Sequence, residues 1–182
     1  LCSALQPAVH LQALAEAHRA ASGPETPEGG LLTGGEDWPN AYRWTPMDPE
    51  DARGCVVVFW HAEWDEPAFM VYGGFLFGLP LAVTGFNRYP KWMEALVRRL
   101  LSMLYSMYFD DATLQDWAVS AEAAQEQLNE LMNILGTPFA TEKRQAMADT
   151  GVFLGLGHDL RRAWEEQVVS FWVRDRLEEK VK

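Results

Sequence analysis

Two adjacent carboxylates, Asp110-Asp111, follow the aromatic pair Tyr108-Phe109 and stand between two short apolar runs. Neighbouring carboxylates beside aromatic rings repel each other and lose hydration, so their ionised form calls for a cation or a base nearby. Aspartate is also a favoured turn residue, and a solvated turn is the plainer account of an isolated Asp-Asp pair. A further carboxylate with compatible neighbours shifts that weighing. Asp37-Trp38-Pro39-Asn40-Ala41-Tyr42-Arg43 is followed by Pro46 and by Pro49-Glu50-Asp51. Hard cations such as Mg²⁺ take oxygen ligands, and carboxylates from two separate segments can converge on them. Three more blocks follow in order: Phe77-Gly78-Leu79-Pro80 running to Phe86-Asn87-Arg88, Leu135-Gly136 with Phe139 and Lys143, and Phe153-Leu154-Gly155.

The elements that must position these residues can be read from periodicity. Residues 5–21 carry Leu11, Leu14, Ala15 and His18 at helical spacing and stop at Ser22-Gly23-Pro24. Residues 23–35 read as a Gly/Pro/Glu loop. Residues 55–60 (CVVVFW) have the composition of a buried strand, and residues 69–75 pair with them as a hairpin. A helix is expected from Pro90. It has a polar stripe of Arg88, Lys91, Glu94, Arg98, Arg99 and Ser102, with Trp92, Leu96, Leu100 and Leu104 behind it. Residues 103–108 and 112–117 read as strand, acidic turn, strand. Ser120 is a candidate cap for a helix running through Leu135, with Gly136 as its stop. Residues 152–156 read as one strand, and the tail from Arg161 as a helix. Irregular alternation of strands and helices predicts an antiparallel sheet with helices on one face.

The 182 residues suit one domain with a real core, and 48% of them are apolar. No apolar run approaches the roughly 20 residues of a membrane span, so no membrane is expected as a partner. Cys2 and Cys55 sit in unlike contexts, which favours a reduced intracellular chain over a disulfide. His10, His18, His61 and His158 show no paired spacing, and no zinc site is expected. The opening LCSALQPAVHLQ lacks the basic region of a signal peptide and reads as the interior of a longer reading frame. An intracellular location, cytoplasmic or nuclear, follows as the expectation. The net charge of −11 argues against a general nucleic-acid binder, whose footprint is normally basic.

In order and spacing, the five blocks resemble the palm of reverse transcriptases, especially those of retroviruses and long-terminal-repeat retrotransposons. The resemblance covers about residues 37–160. It implies an α+β polymerase palm, an antiparallel sheet backed by helices around a ferredoxin/RRM-like core, with incomplete fingers and thumb. The organisation it implies is an N-terminal helix and loop over 1–35, a palm over 36–160 and a helical tail over 161–182. The implied activity is that of an RNA-directed DNA polymerase domain of a retroelement polyprotein. Such a domain adds dNTPs to a primer on an RNA or DNA template with two Mg²⁺ ions, Mn²⁺ being an alternative.

By the same resemblance Asp37, Asp110 and Asp111 are the metal ligands, with Asp110 shared by both ions and Asp111 the weaker ligand. Tyr42 matches an aromatic that rejects a ribose 2′-hydroxyl by filling its volume; an ordinary strand aromatic is the plainer reading. Phe77 and Gly78 match the block beneath the incoming nucleotide, although Leu76 and Ala82-Val83 depart from the family pattern. Lys143 matches a lysine that protonates departing pyrophosphate, or is a surface lysine in a loop. Phe153, Leu154 and Gly155 match the hairpin that grips the primer. Arg88 and Lys91 could meet template phosphates, or belong to a solvated helix face.

Charge qualifies the picture. The balance is −5 over residues 1–50, 0 over 51–100 and −6 over 101–182, so only the middle stretch is not acidic. Before Asp37 only Arg19 is available to hold a triphosphate. Gly34-Gly35-Glu36 is a poor lead-in for a strand. An inactive relic of the fold, or an assembly module built on it, is therefore the rival expectation.

Overall fold

The computed structural model describes residues 3–173 apart from Pro24, Thr26, Phe77, Leu79, Pro80 and Leu81. It divides into two units, residues 40–90 and the remainder. In chain order the elements are α1 (Gln6–Ser22), β1 (Leu31–Asp37), α2 (Ala41–Trp44), α3 (Pro49–Ala52), β2 (Val56–His61), β3 (Glu66–Val71), α4 (Ala82–Phe86) and α5 (Arg88–Leu100). Then come β4 (Leu104–Tyr108), β5 (Asp111–Trp117), α6 (Ala118–Ile134), a 3₁₀ turn (Thr141–Lys143), β6 (Gln145–Ala148), β7 (Thr150–Phe153), β8 (Leu156–Asp159) and β9 (Ser170–Val173).

The main sheet has the order β4-β5-β1-β6, and all its pairings are antiparallel. With α5 and α6 as the two crossovers, this is the β-α-β-β-α-β arrangement of a ferredoxin-like core. The 40–90 unit is inserted in its first crossover connection. The fold class is α+β, as expected. The expected loop over 23–35 gives way to a strand from Leu31, because β1 runs through Gly34 and Gly35 between β5 and β6. Close packing explains the glycines. A Cβ at Gly34 would lie 2.5 Å from Met147 Sδ, and one at Gly35 would lie 2.8 Å from Gln145 Nε2.

Directly opposed residues of antiparallel strands share a face, and alternate residues along a strand do too. Leu31, Thr33, Gly35 and Asp37 therefore share a face with Trp117, Gln115, Thr113 and Asp111. On that face His10 of α1 hydrogen-bonds Gln115 and Ser106. The opposite face carries Glu36, Ala112 and Leu114, and Gln125 of α6 donates to Glu36. Helices thus lie on both faces, not on one. At the far end of the sheet from Asp37, Leu11 and Ala15 of α1 join Leu31, Leu160 and Trp164 in a buried cluster that Trp117 packs against.

α6 is built from strong helix formers and buries Ala121, Ala124, Leu128 and Met132. It ends in a left-handed Gly136 (φ +71°) whose N–H donates to Asn133 O, while the Thr137 N–H donates to Met132 O. That pair of bonds is the Schellman stop. Ser120 does not cap the helix; it sits in the first turn with Oγ donating to Trp117 O at 3.2 Å. α5 buries Met93, Glu94 and Val97; Arg88, Lys91, Arg98, Arg99 and Ser102 are exposed as expected, but Glu94 is inside while Trp92 and Leu100 are exposed. Glu94 is held inside by Lys91 Nζ at 2.7 Å and Arg98 Nη2 at 2.6 Å.

Two further expectations change. Residues 152–156 are not one strand but the turn of a hairpin, with Leu154 (φ +50°) and Gly155 (φ +81°) as a two-residue loop between β7 and β8. The tail expected as a helix turns at residues 161–166 and pairs β9 with β8; residues 174–182 lie outside the described part. In the 40–90 unit the expected hairpin is present as β2–β3, but Val58, Trp60, Phe69 and Val71 are exposed. A two-stranded ribbon has no third strand to cover it. No helix among the described residues is long and apolar enough to cross a membrane.

Candidate active site

The β4–β5 hairpin sets the first two carboxylates. Tyr108 pairs with Asp111, so Phe109 and Asp110 form its two-residue loop, and Phe109 has a φ of +54°. A positive φ at the first loop position is what a primed hairpin turn requires, and a bulky residue adopts it only when the strands enforce it. Asp111 opens β5 and lies directly opposite Asp37, the last residue of β1. Both carboxylates leave the same face, with Cβ atoms about 5 Å apart by strand geometry. The junction is fixed by backbone bonds. Trp38 N–H donates to Asp110 O at 2.8 Å, and Ala140 N–H donates to Asp37 O at 2.9 Å. Trp38 is itself buried.

Lys143 closes the 3₁₀ turn and places Nζ 2.9 Å from Asp37 Oδ2. The residues on either side of this pair make a second one on the other face. Glu36, whose side chain is fully buried, lies 3.1 Å from Arg144 Nε and accepts from Gln125 and Asn129 at 3.0 Å each. Burial pushes the Glu36 carboxyl above the usual carboxylate range, against the pull of those partners. Two consecutive acids thus hold two consecutive bases, one pair inside and one at the surface.

A cleft of about 430 Å³ opens above this end of the sheet. Asp37, Asp111 and Lys143 line it together with Phe153, Leu154 and Gly155 of the β7–β8 tip. Six residues singled out from sequence, drawn from four distant segments, meet there. Burial raises the Asp111 carboxyl above its ordinary range, and the charges of Asp110 and then Asp37 add to the effect. Lys143 is raised mainly by its bond to Asp37. The donor set is right in kind for a hard cation: oxygen ligands only, with repulsion that a cation would relieve. Among the described residues no three such side chains are drawn close enough to hold an ion. Lys143 occupies Asp37 in this arrangement.

The other expected residues belong to other elements, and those of the 40–90 unit are described within that unit. Tyr42 is in α2, not in a strand, and its ring stacks on Phe86 with centroids 4.3 Å apart. Gly78 is exposed at a turn with φ +91°, and Phe77 lies outside the described residues. Arg88 is exposed at the start of α5. Lys91 is engaged by Glu94, so the charged stripe is in part an internal ion-pair network.

Sequence reading missed a buried polar chain on the same face. Arg98 donates to Ser106 Oγ at 2.9 Å, and Ser106 lies 3.0 Å from His10 Nε2. His10 Nδ1 meets Gln115 Oε1, and Gln115 Nε2 donates to Thr33 Oγ1 and Thr113 Oγ1. Thr33 Oγ1 lies 2.9 Å from His158 Nε2 in β8. Desolvation lowers His10 to about 4, so it is neutral, with Nδ1 the donor to Gln115. The alternation Thr113, Gln115 against Ala112, Leu114 was the available signal: one face of β5 is polar yet buried.

No protein-family model and no curated protein matches this chain. Solved structures do match it. A foamy viral protease-reverse transcriptase in complex with an RNA/DNA hybrid aligns with a TM-score of 0.58 at 14% identity, over 82% of this chain and 18% of that one. The foamy viral protease-reverse transcriptase in complex with dsDNA aligns at 0.60 and 13%, over 82% and 28%. The fold is reverse-transcriptase-like. This chain spans less than a third of either neighbour's length.

Proposed function

We propose that this chain is the palm of an RNA-directed DNA polymerase from a retroelement, adding dNTPs to a primer 3′-hydroxyl on an RNA or DNA template. The observation that carries the reading is the cleft itself. A polymerase palm needs acidic ligands, a cationic proton donor and a primer-holding tip at one place, and Asp37, Asp111, Lys143 and residues 153–155 line one cavity. That both neighbours were solved with nucleic acid supports the same direction.

Asp37, Asp110 and Asp111 would hold two Mg²⁺ ions, Mn²⁺ serving in their place. Bound there, the ions would supply acidification of the primer hydroxyl and stabilisation of the triphosphate leaving group. The chain's own contributions follow from position. The 153–155 tip bounds the cleft and orients the primer end. Lys143 must leave Asp37 for the carboxylate to act as a ligand, and from there its ammonium reaches a departing phosphate and can protonate it. By the resemblance alone, Tyr42 would screen the sugar, Phe77 and Gly78 would underlie the base, and Arg88 and Lys91 would meet template phosphates. The remaining domains of a polyprotein supply the basic surface that an acidic chain lacks.

The test is Mg²⁺-dependent primer extension on an RNA template, comparing the natural residue at Asp110 with Asn. A second reading, an inactive relic or assembly module, is favoured by one feature: Lys143 rests on Asp37 where a cation ligand would be free. Isothermal titration with Mg²⁺ and dNTP separates the two, since a relic takes up neither.

A further inference from the structure

The β7–β8–β9 sheet and the main sheet share no ladder. The tip at residues 153–155 is held over the Asp37–Asp111 end by packing of its hairpin on β1 and, nearest the tip, by one side chain. Gln145, the first residue of β6, donates from Nε2 to Val152 O at 3.1 Å and accepts the Val152 N–H at Oε1 at 3.0 Å. Its amide imitates a peptide unit, making on the neighbouring sheet the two bonds a paired strand would make. Val152 stands immediately before Phe153, so the clamp acts one residue from the tip.

The rest of the joint is cut to fit. A Cβ at Gly35 would lie 2.8 Å from Gln145 Nε2 and 3.2 Å from its Cδ, so the bare strand makes room for the amide. Gln145 also has its main chain held, with Gln125 Nε2 donating to its carbonyl at 2.9 Å. Further from the tip, Gly151 passes so close to β1 that a Cβ would lie 2.8 Å from Thr33 Cγ2, and Thr33 meets His158 there. The hairpin is therefore pinned at two heights, by His158 near its base and by Gln145 near its tip. Only the second pin borders the cleft, where Gln145 is one of the lining residues.

We propose that Gln145 is a positioning residue for primer engagement: its amide fixes the 153–155 tip against the carboxylate end and so sets the width of the cleft. This rests on the polymerase reading for its consequence, though not for its geometry. Hydrogen exchange on the 182-residue chain tests the geometry. In Gln145→Ala the Val152 and Phe153 amides are expected to exchange at least about 10-fold faster, with residues 104–117 unchanged. Gln145→Glu, which keeps the acceptor and loses the donor, should fall between. Gly35→Ala should reproduce the effect with Gln145 intact, by displacing its amide.

Primer extension by a polypeptide containing this chain tests the consequence. Gln145→Ala should raise KM for primer–template about 5- to 20-fold and leave KM for dNTP within about 2-fold. Unchanged exchange at 152–153 would overturn the clamp. Faster exchange with both KM values shifted equally, or neither shifted, would overturn the primer role. Faster exchange at 152–153 in Gln145→Ala, with a natural-sequence protein that extends no primer, would uphold the clamp and overturn the polymerase reading instead.

Discussion

Asp111 carries a charge conflict that a bound cation would relieve. Its carboxyl is raised by burial and by the charges of Asp110 and Asp37. A group whose folded-state pKa is raised contributes stability at low pH and loses it as pH rises through that pKa. Asp111→Asn removes the conflict, and the variant is expected to be more stable than the natural sequence at pH 7 without divalent cation. About 0.5 kcal/mol is the scale of such partly exposed charge contacts, and urea unfolding would read it. Extension activity should be lost in the same variant. Stability gained as activity is lost is the pattern of a working site, and a turn with no function would show only the first.

His10 has the opposite sign. Burial lowers it to about 4, with Gln115 pulling upward, Arg98 downward and Glu94 upward. Between pH 6.5 and about 4 the unfolded chain binds the extra proton and the folded chain does not, so stability falls as pH falls through that window. The loss is on the order of 3 kcal/mol. Comparing the natural sequence with His10→Gln across pH 4–7 isolates it, because the variant should lose that part of the slope. At this scale, Asp37, Asp111, Lys143 and the 153–155 block, singled out in sequence through the order of the blocks and the resemblance, line one cleft. His10 and Gln145 were not legible in sequence, since their roles come from partners about 100 and seven residues away, and neither residue type announces them.

Among the elements, the strongly periodic ones could be read and the glycine-rich ones could not. α6 has a regular apolar face and a glycine stop, and the β4–β5 hairpin has short apolar strands around an acidic turn. β1 looked like a loop because glycine is a poor strand former when judged alone. Here Gly34 and Gly35 are strand residues because Met147 and Gln145 fill the space a side chain would take. The tail misled in a similar way, its charges hiding a short strand that pairs with β8. The β7–β8 loop offers an element-scale test. Leu154 holds a left-handed conformation that asparagine tolerates better than leucine, so Leu154→Asn is expected to stabilise the hairpin by about 0.5–1 kcal/mol. A rise in thermal midpoint would show it.

For the whole molecule, the charge of −11 is informative once the cleft is located. Lys143 faces the cleft, Lys91 and Arg98 pair with Glu94, and acids outnumber bases 26 to 15 over the chain. Binding of primer–template by this chain alone is therefore expected to depend weakly on salt. The slope of log K against log[salt] should be shallower than about −3, where extensive phosphate contact gives far steeper values. Fluorescence anisotropy over a salt series would measure it. On the proposed reading, the ferredoxin-like sheet with its carboxylates gathered at one end would be the catalytic part of a nucleic-acid enzyme, and other domains would supply most of the nucleic-acid-holding surface.

The most direct test is Mg²⁺-dependent extension of a DNA primer on an RNA template by a polypeptide containing this chain, with Asp110→Asn as the partner variant. Template-directed addition of dNTPs is expected, requiring the divalent cation and falling at least about 100-fold in the variant. Extension that survives Asp110→Asn unchanged would contradict it.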